Sequence, residues 1–240
     1  MHRLIPVLLL VTSFQCYSQR NQDFDKLIIS YADGKPEQCI KIGKKLAKKK
    51  YKEHPTPYYY ISLAYFDIYL DRQFDEKYPD AMTKSVEFAV LFSEKKGANN
   101  YDESETESLQ HLSISIWEEI DLRAYNEECS EEELNISIGL TKIFPNALEN
   151  WFLKAQLELL SGDKGDYESS VHRIMSLLKE MDSEQLQLHI KNELFIHSAI
   201  QFIQFAKEKG EEKDASFVYY RLKALFNDDD AFYDQFPKWD

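Results

Sequence analysis

His189, Glu193 and His197 stand four residues apart, a spacing that brings three side chains to nearly one side of an α-helix. Two imidazoles and a carboxylate are a donor set for zinc, and a zinc centre with one open position activates water for hydrolysis. Leu186, Ile190 and Ile200 share that side, and the segment around them is apolar nearly all round. That pattern suits an inner helix whose histidines are bonded to neighbours. Two functions follow from the two readings: a metal-dependent hydrolase on a helical scaffold, or a protein with no metal. Other chemistry is sparse. Asp228, Asp229 and Asp230 lack the glycine turn and spaced glutamate of a calcium loop. The sequence holds no phosphate-cradling glycine loop, nucleophile elbow, His-Glu-x-x-His pair or paired Cys-x-x-Cys. The expectation is a protein that is not an enzyme and takes no cofactor.

Residues suited to binding are more plentiful. Tyr58, Tyr59, Tyr60, Tyr65 and Tyr69 crowd one segment at spacings that cover more than one helix face, so some rings fall outside the core. An exposed tyrosine offers apolar area and a hydroxyl at low entropy cost, which makes Tyr58, Tyr59, Tyr65 and Tyr69 candidates for holding a protein or peptide partner. The competing reading is that the rings fill space between helices. A run of lysines that includes Lys41, Lys45 and Lys48 stands out in a chain of net charge −13. It could meet an anionic surface, or be the solvated face of an amphipathic helix. The acidic balance argues against nucleic acid. Cys39 and Cys129 suit packing, with one bridge left open for an oxidising compartment.

The elements that must position these residues are helices. Gly and Pro number only 7 each in 240 residues and punctuate periodic apolar segments, while alternating strand patterns are nearly absent. Helices are expected near 24–31, 36–50, 58–70, 80–96, 147–160, 167–181, 183–209 and 213–226. Ser104 with Glu107 and Ser130 with Glu133 read as capping boxes that open two more. With 43% hydrophobic residues the chain can bury one substantial core, and one domain is expected.

Taken in pairs these helices recur at about forty residues, a period of helical hairpin arrays. The run PNALENWFLKAQLELLSGD, continuing through KGDYESSVHRIMSLL, resembles a tetratricopeptide repeat. Trp151 stands at its early aromatic position and Ala155 at its small crossing position; Gly162 and Asp163 fall in the turn, and Tyr167, Ser170 and Ile174 on the second helix. PTPYYYISLAYFDIYL matches more faintly, through Tyr60, Leu63 and Ala64. The resemblance implies an all-α, right-handed stack of antiparallel helix pairs, a tetratricopeptide-like α-solenoid over residues 19–240, and a surface for protein or peptide partners. The closing AFYDQFPKWD, with Phe232, Tyr233, Phe236 and Trp239, is expected to fold back as a cap.

Arg3, the apolar run from Leu4 to Val11, and Cys16 and Ser18 form the pattern of a secretory signal peptide over residues 1–18. The run is too short to span a membrane. Cleavage after Ser18 leaves Gln19 first, and the protein is expected in the bacterial periplasm or outside the cell. Lipid modification at Cys16 is the competing outcome, weakened because Gln15 rather than a small residue precedes the cysteine.

Overall fold

The computed structural model describes residues 24–48, 51–98, 100–125, 129–182 and 193–225. The expected leader with Cys16, the residues Lys49 and Lys50, the first part of the expected 183–209 helix, and the segment holding Asp228–Asp230 and the expected cap lie outside the described residues. Among the described residues the regular elements are all helical, and none of these helices is long and apolar enough to cross a membrane. They are α1 (24–32), α2 (Pro36–Ala47), α3 (Thr56–Leu70), α4 (Ala81–Lys96), α5 (Glu103–Tyr125), α6 (Glu131–Ile143), α7 (Leu148–Ser161), α8 (Lys164–Glu180), α9 (Glu193–Glu208) and α10 (Glu212–Leu225). The sequence suggests one domain over 19–240. Contacts gather the described residues into two compact units, divided between Ser108 and Leu109.

In the first unit Pro36 opens α2, where its missing N–H would be unsatisfied in any case. Helix α3 packs against both α2 and α4. That central place explains why α3 is apolar on nearly every side, with Ile61, Leu63, Ala64, Phe66 and Ile68 buried. Leu27 and Cys39 complete the core from α1 and α2. Gly43 of α2 provides the close crossing, because a Cβ there would stand 2.5 Å from Cγ1 of Ile61. Phe24 at the start of α1 lies 4.7 Å from His54, just ahead of α3. Tyr31 near the end of α1 lies 5.5 Å from Tyr60. The two helices therefore run in the same direction.

Helix α5 opens two residues earlier than its expected Ser104–Glu107 box. Asp102 Oδ1 accepts the Glu105 N–H, and Glu105 Oε2 accepts the Asp102 N–H, both at 2.9 Å. Aspartate is as good a cap as serine, and this frame leaves Ser104 inside the helix, where its carbonyl accepts the Ser108 hydroxyl.

In the second unit α6 opens on the expected box: Ser130 accepts the Glu133 N–H, and Glu133 accepts the Ser130 N–H at 2.8 Å. Helix α7 ends at Gly162 in the left-handed region, φ 81°, and the Asp163 side chain then caps α8 by accepting the Asp166 N–H. Helix α7 packs on α6, α8 and α9, and α10 packs on α8 and α9. Tyr167, early in α8, donates to Asp214, early in α10, at 3.1 Å. Arg221, later in α10, donates to the carbonyls of Leu178 and Met181 at the end of α8. These helices also run in the same direction. Phe152, Ala155, Tyr167, Ile174, Phe195 and Phe202 lie in one buried cluster.

Candidate partner-binding surface

Helix α2 has two opposed faces. Cys39, Ile40 and Gly43 face the core, and Lys41, Lys45 and Lys48, at four- and three-residue spacing, form an exposed outward stripe. Most described lysines nearby are engaged: Lys35 with Asp33 at 2.8 Å, Lys84 with Glu87 at 2.7 Å, Lys95 with Glu53 at 3.0 Å, Lys96 with Glu105 at 2.9 Å, and Lys77 with Glu37. Lys41, Lys45 and Lys48 reach no carboxylate among the described residues. Lys44 behaves differently. It turns towards α3, donates to the Tyr65 hydroxyl, and lies 4.9 Å from the Tyr65 ring and 5.7 Å from that of Phe88.

The tyrosines of α3 divide between core and surface in a way periodicity did not indicate. Tyr58, Tyr59 and Tyr65 are 7, 9 and 4% exposed. Tyr58 donates to the Lys52 carbonyl at 2.7 Å and carries Lys95 5.2 Å from its ring centre. Tyr59 packs 5.1 Å from Phe92, and burial raises its phenol. Their rings are taken up by packing because α2 and α4 cover two sides of α3. Tyr69 is half-buried and stacks on Phe66.

The side of α3 left between core and solvent carries Tyr60 and Asp67, seven residues apart and so on one stripe. Desolvation raises the Asp67 carboxyl above its ordinary range. It makes no hydrogen bond or ion pair among the described residues. Tyr31 of α1 meets Tyr60 edge-on. Its phenol is pushed far up by burial first and then by the Asp67 charge. Burial likewise pushes the Cys39 thiol up to about 12, with Asp67 adding to the rise. The sequence signal for this group was Asp67 itself, the one charged residue in TPYYYISLAYFDIYL.

Of the possible zinc ligands, His189 lies outside the described residues, as does the Glu193 side chain. His197 is exposed on α9, 5.7 Å from the Trp117 ring, with its Nε2 3.2 Å from Gln201 Nε2. No grouping of three metal-ligating side chains occurs among the described residues. Cys39 is a buried free thiol and Cys129 a half-buried one. In the α7–α8 hairpin, Trp151 donates to the Pro145 carbonyl at 3.0 Å. Lys154 reaches across to Ser170 Oγ at 2.6 Å and pairs with the buried Glu158. Ser170 is fully buried, so the lysine and serine join the two helices and offer no accessible nucleophile.

No protein-family model, curated protein or solved structure matches this chain.

Proposed function

We propose that this chain is a non-catalytic interaction protein, built of tetratricopeptide-like helix hairpins, that holds an acidic segment of a protein or peptide partner against Lys41, Lys45 and Lys48. The stripe carries the reading. In a chain of net charge −13, three aligned cations that reach no carboxylate among the described residues are complementary to an anionic partner, and such complementarity governs encounter rate and register more than raw affinity. Two features support the helical-hairpin part. Alternate helices run in one direction within each unit, α1 with α3 and α8 with α10, as stacked hairpins require. Ala155, Tyr167, Ser170 and Ile174, which carry the resemblance, are buried. The leader pattern in residues 1–18 supports export to the bacterial envelope.

The experiment is capture of partners from the native envelope fraction with tagged wild-type chain and with a Lys41→Glu/Lys45→Glu/Lys48→Glu variant. All three side chains point outward, so the variant keeps its core; a melting curve checks that it is folded, since glutamates replace Lys45 and Lys48 at the end of α2 and oppose the helix dipole. The wild type should return a reproducible partner whose retention weakens with salt and which the variant fails to hold. Capture of nothing reproducible, or equal capture by both chains, removes the reading.

A further inference from the structure

The tyrosine rings of α3 already hold cations within the first unit: Lys44 lies 4.9 Å from the Tyr65 ring and Lys95 lies 5.2 Å from that of Tyr58. A third aromatic group differs. Tyr31 and Tyr60, with ring centres 5.5 Å apart, stand beside Asp67, and no cation of the described residues meets either ring or the carboxylate. All three side chains are partly open to solvent. A half-buried carboxylate without a donor is costly to keep, and aromatic faces beside it attract positive charge through their quadrupole. Exposed apolar side chains flank the group along both helices: Ile28, one turn before Tyr31, is 39% exposed, and Leu70, about one turn after Asp67, is 52% exposed. They offer apolar surface to the methylene stem of a charged chain.

We propose that Tyr31, Tyr60 and Asp67 form a receptor for a single organic cation, an alkylammonium or guanidinium group. The site is separate from the lysine stripe and opposite to it in charge preference. Asp67 supplies the counter-charge, the tyrosine rings the walls, and Ile28 and Leu70 the apolar approaches. The cation can come from a basic side chain of a polypeptide or from a free polyamine, and the two sources share this chemistry.

The test uses the full chain and NMR titration with N-acetyl-lysine methylamide, N-acetyl-arginine methylamide and putrescine, with N-acetyl-norleucine methylamide as the uncharged control. Binding of the cationic probes and not of the norleucine probe is expected. Asp67→Asn should weaken it at least tenfold, Tyr31→Leu should weaken it, and Tyr31→Phe should retain it because the ring remains. Glu107→Gln, an exposed acid elsewhere, should leave it unchanged. Tighter binding of the capped amino acids than of putrescine identifies a polypeptide source, and the reverse order a polyamine. Binding should fall as pH drops through the Asp67 titration. The other titratable and charged groups around the site are Tyr31, Tyr60 and Cys39, with the carboxylates of Asp102 and Glu105 acting on Tyr60; burial holds the two phenols and the thiol neutral in that range. Melting curves guard the result, since removing an unpartnered desolvated charge leaves Asp67→Asn at least as stable as the wild type at neutral pH. Failure of every cation to bind, equal binding of the norleucine probe, or undiminished binding to a folded Asp67→Asn chain overturns the proposal.

Discussion

Replacing Gly43 by alanine puts one carbon at the place where α2 approaches α3 and α1. In the interior of an exposed helix that exchange stabilises by about 1 kcal/mol, because alanine loses less backbone entropy on folding. Here the added Cβ would lie 2.5 Å from Ile61 Cγ1, 3.0 Å from Ile61 Cδ1 and 3.4 Å from Leu27 Cδ1. Carbon atoms rest at about 3.5–4.0 Å, so roughly 1 Å must be found. Ile61 and Leu27 are fully buried, and the β-branched Ile61 has one strongly preferred rotamer in a helix. Overpacking of this kind costs about 1–3 kcal/mol. Set against the propensity gain, the net loss is on the order of 1 kcal/mol, a fall in Tm of about 2–4 °C for a chain of this size. Circular-dichroism melts and urea titrations read it directly. A double-mutant cycle sharpens the test: with Ile61→Ala in place the obstruction is gone, and Gly43→Ala should become neutral or stabilising by up to about 1 kcal/mol. A stabilising Gly43→Ala in the native background, or the same penalty in both backgrounds, would refute the close α2–α3 crossing.

Lys154→Ala leaves Glu158, whose side chain is 1% exposed, buried without its cation and should cost about 3–5 kcal/mol; the volume-conserving pair Lys154→Met with Glu158→Leu should restore most of it in urea denaturation. Ser130→Ala removes the bond that Ser130 Oγ accepts from the Glu133 N–H at the start of α6, leaving the backbone half of the box, and should lower stability by about 1 kcal/mol, with early hydrogen exchange confined to the first turn. The Cys39 thiol, pushed up to about 12 by burial, stays protonated in the native state at pH 9 while an unfolded thiol of pKa about 8.5 ionises. Its contribution to stability is therefore complete below about pH 8.5 and is lost as pH rises towards 12. Alkylation followed by peptide mapping should label the half-buried Cys129 first and Cys39 only as the chain unfolds, and a Cys39→Ala variant should show a shallower alkaline loss of Tm.

The elements that depend on near neighbours were legible in the amino-acid order. The Ser130–Glu133 box needs only four consecutive residues, and the turn between α7 and α8 needs only a left-handed Gly162 and a capping Asp163. The α5 start shows how far such local rules reach: Asp102 with Glu105 and Ser104 with Glu107 satisfy the same chemistry, and the choice between two overlapping frames lay outside the four-residue motif. The outward stripe of Lys41, Lys45 and Lys48 was readable as well, since α2 is amphipathic and its own period separates Ile40 and Gly43 from the lysines.

Helix α3 was different. It is apolar on nearly every side, and its one charge, Asp67, marks the stripe of Tyr60 without showing that neighbouring helices cover Tyr58, Tyr59 and Tyr65. Lys154 and Glu158 stand four residues apart on one helix, where a pair is expected, but nothing in their order indicated that Ser170 of α8 would meet the same ammonium. The sequence by itself determined that this chain is helical, where most of its helices start and stop, and which face of α2 is charged, because these follow from hydrogen bonds and side-chain periodicity within one element. Only the tertiary structure decided which tyrosines reach solvent and that Tyr31 joins Tyr60 and Asp67. Burial of a helix that is apolar on nearly every side is set by which neighbours cover it, and α1, α2 and α4 do so from positions distant along the chain.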